Sequence, residues 1–238
     1  MKFGVVVFPG SNCDHDLIYL LREVYQQEVV ELWHKDTHLH GLSTEDCIML
    51  PGGFSYGDYL RCGAVARFSP IMQCVVTHAE AGGYVWGICN GFQILCEAGL
   101  LPGVLLRNSA QRFICKNIWL LPQTQNTAIT TLCDPNTPLQ IPIAHAEGRY
   151  YCDADTLKNL QNNDQILFRY CAPDGTIDAE NNPNGAIDNI AGVCNATRNV
   201  FGMMPHPERC ADMRLGNVDG SLLFESLLSL SQNFELAN

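Results

Sequence analysis

Residues 84–95 read Tyr84-Val85-Trp86-Gly87-Ile88-Cys89-Asn90-Gly91-Phe92-Gln93-Ile94-Leu95, an apolar run followed by two glycines around a cysteine and then a helically spaced apolar stripe. The first part predicts a buried strand over 84–88 and the last an amphipathic helix over 92–100. Between them, Gly87-Ile88-Cys89-Asn90-Gly91 has the Gly-x-nucleophile-x-Gly pattern of a nucleophile elbow, with cysteine in place of serine. Such a turn holds its central residue in a strained conformation, and small flanking residues avoid clashes. It also aims the thiol at the start of a helix, where the dipole favours negative charge. Cys89 is the candidate nucleophile, and the other cysteines are read as unreactive thiols.

Upstream, strand and helix alternate. Phe3 to Phe8 reads as a first strand. A helix starts at Asn12 or Cys13, with Leu17, Leu20, Leu21 and Val24 on one stripe. Val29 to Trp33 and Cys47 to Leu50 are further strands, the latter closed by Pro51-Gly52-Gly53. A long loop runs to Phe68, and loops of that length are usually functional. Ser69-Pro70 then reads as an N-cap and first turn, with Ile71, Cys74, Val75 and His78 on one face. This alternation predicts an α/β fold with a doubly wound, mostly parallel sheet, flanking helices and ligands at the carboxyl ends of the strands. From Phe113 to Cys171 the apolar runs shorten (117–121, 128–133, 141–144 and 166–170), which suggests added β-hairpins interrupted by one helix near 154–160. Asn199 to Met204 is a late strand and Ser221 to Leu230 a closing helix.

The 238 residues fit one α/β domain. A net charge of −11 argues against a nucleic-acid partner, because little of the surface could release counterions from a phosphate backbone. With 47% apolar and 16% charged residues the chain can fill a sizeable core. The 12 cysteines contain no Cys-x-x-Cys pair and read as reduced thiols. The first residues are too short an apolar run for a signal peptide, and nothing approaches a bilayer span, so a cytoplasmic protein is expected.

A cysteine nucleophile needs a base, and the base an orienting group. His145-Ala146-Glu147 and His206-Pro207-Glu208 each offer both. Spacing barely separates them; the second has a modest edge because it follows a strand-like segment and prolines flank His206. Together they could supply two histidines and two carboxylates to a metal, but that would leave the elbow unexplained, and no metal is expected. The turn at Gly52-Gly53 could pair a backbone N–H with that of Asn90 as an oxyanion hole facing Cys89. A phosphate loop is disfavoured there, since no Lys-Ser/Thr follows. His34, His38 and His40 read as an exposed polar connection rather than a metal tract.

The elbow, the glycine turn and the terminal His-Pro-Glu resemble the class I (triad) glutamine amidotransferases. More narrowly, the chain is similar to the family of glutaminase subunits of phosphoribosylformylglycinamidine synthase. The resemblance rests on the runs 8–14 (FPGSNCD), 51–63 (PGGFSYGDYLRCG), 87–95 (GICNGFQIL), 106–108 (LRN), 144–150 (AHAEGRY) and 203–209 (MMPHPER). It covers essentially the whole chain, implying a single amidotransferase domain over residues 1–238 with a flavodoxin-like sheet, and no triad position departs from the family pattern.

The resemblance implies Cys89 as nucleophile, His206 as general acid and base, and Glu208 as its orienter, with Gly53 and Asn90 as the backbone oxyanion hole and Gln93 contacting glutamine. It implies hydrolysis of glutamine in de novo purine biosynthesis, with the ammonia passed to a synthetase subunit that converts formylglycinamide ribonucleotide to the amidine. No cofactor is expected on this chain; ATP and magnesium belong to the partner, and a small third subunit is expected. The loop 54–68 and the segment 107–116, with Arg112 and Lys116, are the candidates for docking and glutamine entry. The alternative is a cysteine peptidase or stress hydrolase of a related elbow fold.

Overall fold

The computed structural model describes residues 1–235. In chain order its elements are β1 (Lys2–Val7), α1 (Asp14–Tyr19), β2 (Glu28–Trp33), β3 (Cys47–Leu50), α2 (Pro70–Glu80), β4 (Tyr84–Ile88), α3 (Asn90–Glu97), β5 (Val104–Leu106) and β6 (Ile114–Pro122). There follow β7 (Leu139–His145), β8 (Arg149–Tyr151), α4 (Ala154–Asn162), β9 (Ile166–Cys171), β10 (Ile190–Cys194), β11 (Val200–Met203) and α5 (Ser221–Glu235). Nine strands form one sheet in the order β2-β1-β3-β4-β11-β10-β9-β6-β7, and β5 and β8 pair separately.

From β2 to β11 every pairing is parallel. The inner strands β3 and β4 are buried on both faces, so they read as unbroken apolar runs: every residue of β3 is buried, as are Val85 to Ile88 of β4. The two faces are covered by different helices. Trp86 of β4 meets Phe224 of α5 with ring centroids 4.9 Å apart, while the next residue, Gly87, faces Gly91 and Leu95 of α3. Alternation along the strand therefore places α5 and α3 on opposite sides.

Beyond β11 the pairings turn antiparallel, through β10, β9, β6 and β7. The second-half strands other than β8 thus extend the main sheet. The apolar run 128–133 is no strand: its backbone makes turns (Thr130 N–H to the Thr127 carbonyl, Cys133 N–H to that of Thr130), and Leu132 N–H donates to Ser226 Oγ of α5 at 3.0 Å. Short buried runs have no periodicity that separates strand from packed turn. At α2 the boundary matches the Ser69-Pro70 signal, but the Ser69 hydroxyl does not cap the helix; it lies 2.9 Å from Tyr56 Oη.

Gly91 sits where α3 crosses β3. A Cβ there would stand 1.9 Å from the Leu50 carbonyl oxygen, so only glycine permits this approach. The helix N-terminus is thereby pinned against the ends of β3 and β4, where α/β sheets bind ligands.

Candidate active site

Cys89 has φ 52° and ψ −104°, a conformation costly for a residue with a side chain. It is held by its own N–H, which donates to the Met203 carbonyl of β11 at 2.8 Å, and by α3 starting directly after it. Because β11 lies beside β4, the chain leaving β11 delivers His206 to the same end of the sheet, where His206 N–H donates to the Pro142 carbonyl of β7 at 2.9 Å. The Gly52 turn, at the end of β3, brings the two together: a Cβ on Gly52 would lie 2.6 Å from His206 Cε1 and 3.4 Å from Cys89 Cβ.

Cys89, His206 and Glu208 are all buried. His206 Nδ1 donates to Glu208 Oε1 at 2.6 Å, which fixes the ring and leaves Nε2 for another partner. Burial works against a charged His206, but the Glu208 carboxylate and the Cys89 sulfur outweigh it and raise its proton affinity well above the ordinary value.

His145 is built differently. Its Nδ1 meets Asn108 Oδ1 at 3.1 Å, and that oxygen also accepts from Gly148 N–H at 3.0 Å. Glu147 does not orient it; its carboxylate faces Arg107 at 4.0 Å. Burial and the neighbouring His206 lower the His145 pKa from 6.5 to about 4. The unfolded chain takes up this proton more readily than the folded one, so His145 should cost stability as the pH falls from 6.5 towards 4, by roughly 3 kcal/mol in all. His145→Gln should lose less stability than the wild type over that window in urea melts, and equal losses would refute this.

Among the described residues, the metal-binding side chains that gather within 4.8 Å do not include His145 or Glu147, so the four-ligand set is not assembled. His34 is not exposed: it is buried with Nδ1 2.6 Å from Tyr56 Oη, anchoring the loop after β3. His38 and His40 meet edge to face, and His40 pairs with Asp36.

A cavity of about 210 Å³ opens on Cys89 and is walled by Gly53, Phe54, Asp58, Gln93, Arg107 and Glu147, among others. Gln93 has its amide engaged: Nε2 donates to the Glu147 carbonyl at 2.6 Å, and Oε1 accepts from Asn90 Nδ2 at 2.8 Å. Asn90 Oδ1 accepts from Ser55 N–H at 3.0 Å, linking the elbow to the loop. Asp58 and Arg107 belong to the two segments, 54–68 and 107–116, offered for glutamine entry, whereas Glu147, a candidate orienter of His145, stands in the wall instead. The loop carries positive φ at Tyr56, Asp58 and Leu60, folding Asp58 inward in a way no periodicity reveals.

The model of the CobB/CobQ-like glutamine amidotransferase domain matches residues 1–221. A phosphoribosylformylglycinamidine synthase subunit PurQ from Salinibacter ruber is 54% identical over 96% of each chain. The PurQ of Moorella thermoacetica is 55% identical over 96% of this chain and 95% of its own. Among solved structures, a chain of PurLQS from Thermotoga maritima superposes with a TM-score of 0.83 at 41% identity, covering 96% of this chain and 98% of that one. The chain belongs to the CobB/CobQ-like glutamine amidotransferase family, among the PurQ subunits of phosphoribosylformylglycinamidine synthase.

Proposed function

We propose that the chain is the glutaminase subunit of phosphoribosylformylglycinamidine synthase, releasing ammonia from glutamine for a synthetase partner in purine biosynthesis. The observation that carries this reading is the charge pattern around the Cys89 cavity. Asp58, Glu147 and Arg107 all line it, with the Glu147 carboxylate 4.0 Å from Arg107, so the wall offers both acidic and basic partners for a free α-ammonium and α-carboxylate, with the carboxamide reaching Cys89. A residue inside a peptide carries neither charge, which disfavours the peptidase reading.

In this mechanism the Cys89 thiolate attacks the side-chain carboxamide, and the backbone N–H groups of Gly53 and Asn90 hold the oxyanion. His206, oriented by Glu208, gives its proton to the departing ammonia, leaving a γ-glutamyl thioester on Cys89. His206 then takes a proton from water, and hydroxide addition releases glutamate and regenerates the thiolate. Gln93 keeps the cavity wall in place through Asn90 and the Glu147 carbonyl.

Ammonia must stay unprotonated to be useful, so the synthetase subunit docks over the site. ATP and magnesium act there, where formylglycinamide ribonucleotide becomes the amidine, and a small third subunit completes the assembly. The Thermotoga maritima relative comes from a PurLQS structure, which supports this composition. The loop 54–68 supports docking, because it exposes Tyr59 and Leu60 (73% and 83% exposed) beside the cavity. Reversing the charges of Arg112 and Lys116 should weaken the complex on size-exclusion chromatography; an unchanged complex would remove that segment from the interface. Twelve free thiols fit a cytoplasmic location, and among the described residues no helix is long and apolar enough to cross a membrane.

The test of the reading is the mass of the chain after exposure to an electrophilic glutamine analogue, with peptide mapping of the adduct and the synthetase partner bound. A single adduct on Cys89, blocked by excess glutamine, is expected. Labelling without protection by glutamine would favour the peptidase or stress-hydrolase reading.

A further inference from the structure

We propose that Cys13, His206 and Glu208 form a binding site for a thiophilic divalent cation, zinc above all, and that occupancy switches the glutaminase off. The inhibitory half rests on the role of His206 given above; the binding half does not.

Cys13 directly precedes α1, and its N–H donates to the Gly52 carbonyl at 3.3 Å, which places the thiol behind the triad. One donor atom from each of Cys13, His206 and Glu208 lies within 4.8 Å of the others, and all three residues are buried. One donor lacks a protein partner: Glu208 Oε2 is buried without a hydrogen bond, while the His206 ring lies between Glu208 Oε1 and the Cys89 sulfur. A buried carboxylate oxygen left bare is costly, so such an atom marks a place where something else binds. Gly52 puts no side chain between them: the position its Cβ would take is 3.2 Å from Cys13 Sγ and 2.6 Å from His206 Cε1.

The donor chemistry selects the metal. Sulfur, imidazole nitrogen and carboxylate oxygen are a zinc set, whereas calcium and magnesium take oxygen ligands. One thiolate and one carboxylate neutralise one divalent ion, so its complex with these ligands carries no net charge. Binding displaces two protons to solvent, one from the Cys13 thiol and one from the His206 ring. Arg209 donates to Cys13 Sγ at 3.0 Å, but its guanidinium is shared with Asp16 at 3.3 Å, which moderates its opposition to a cation. A metal held by the His206 ring and the Glu208 carboxylate takes from them the proton transfers that glutamine hydrolysis needs.

Cobalt(II) chloride titrated into the purified chain reads binding without any activity. A thiolate-to-cobalt absorption band saturating at one equivalent is expected in the wild type and in Cys89→Ser, and is lost in Cys13→Ser. Zinc chloride should inhibit glutaminase in the complex, reversibly by chelator. Cys13→Ser should need at least about tenfold more zinc for half inhibition, the range expected when one ligand is lost, with its metal-free rate and melting temperature unchanged. A band that survives in Cys13→Ser, or disappears in Cys89→Ser, overturns the site. Equal zinc sensitivity of Cys13→Ser and wild type overturns the inhibitory role. Should glutamine hydrolysis prove absent, the cobalt band still decides whether the metal binds.

Discussion

Replacing Cys89 by serine is expected to lower glutamine hydrolysis by on the order of 10⁴-fold or more, the scale found when a covalent nucleophile is removed from a triad. The hydroxyl keeps the shape of the elbow but is a far weaker nucleophile than a thiol. The synthetase partner should remain able to make the amidine when ammonium is supplied in place of glutamine. Steady-state rates with each nitrogen source separate the two. A variant that retains glutamine-dependent turnover would show that another group attacks the carboxamide, whereas loss with both sources would point to a failure to assemble.

The second large effect concerns the fold. Gly91→Ala would drive a methyl group to within 1.9 Å of the Leu50 carbonyl oxygen, an approach no van der Waals contact permits. The obstacle is backbone at the centre of the sheet, so relief requires α3 to lift off β3. The expected cost is about 4 kcal/mol or more, in the tail of single-substitution effects. Urea unfolding followed by circular dichroism should show a large fall in midpoint or no folded baseline; a shift equivalent to less than 1 kcal/mol would mean that α3 can move. Gly82, whose Cβ would meet nothing within 4 Å, offers a steric control, although its φ of 92° carries its own strain.

Both effects trace to parts of the molecule that were legible in the sequence. The inner parallel strands β3 and β4 are buried on both faces, and burial on both faces writes itself as continuous apolar runs, which is why 47–50 and 84–88 match them to the residue. The elbow was legible because close backbone approach leaves glycine as the workable residue at Gly87 and Gly91. The choice of base was not. His145 and His206 each precede a glutamate by two residues, and only tertiary structure turns Glu208 onto its histidine while sending Glu147 to Arg107. The run 128–133 was misleading for a related reason: it is apolar because it lies under α5, and burial alone does not specify backbone conformation. His34 and Ser69 were misread because each is claimed by Tyr56, a partner distant in sequence from both.

The arrangement of the strands also bears on when activity can arise during synthesis. Cys89 and its elbow are synthesised before the chain is half made, but β11, which anchors Cys89 N–H and leads into His206, comes late. Contacts this far apart in sequence form late, after the long loop between them has closed. A nascent chain therefore carries a thiol without its base and spends no glutamine. Amide hydrolysis begins only when nearly the whole polypeptide has emerged and the finished protein can seek its synthetase.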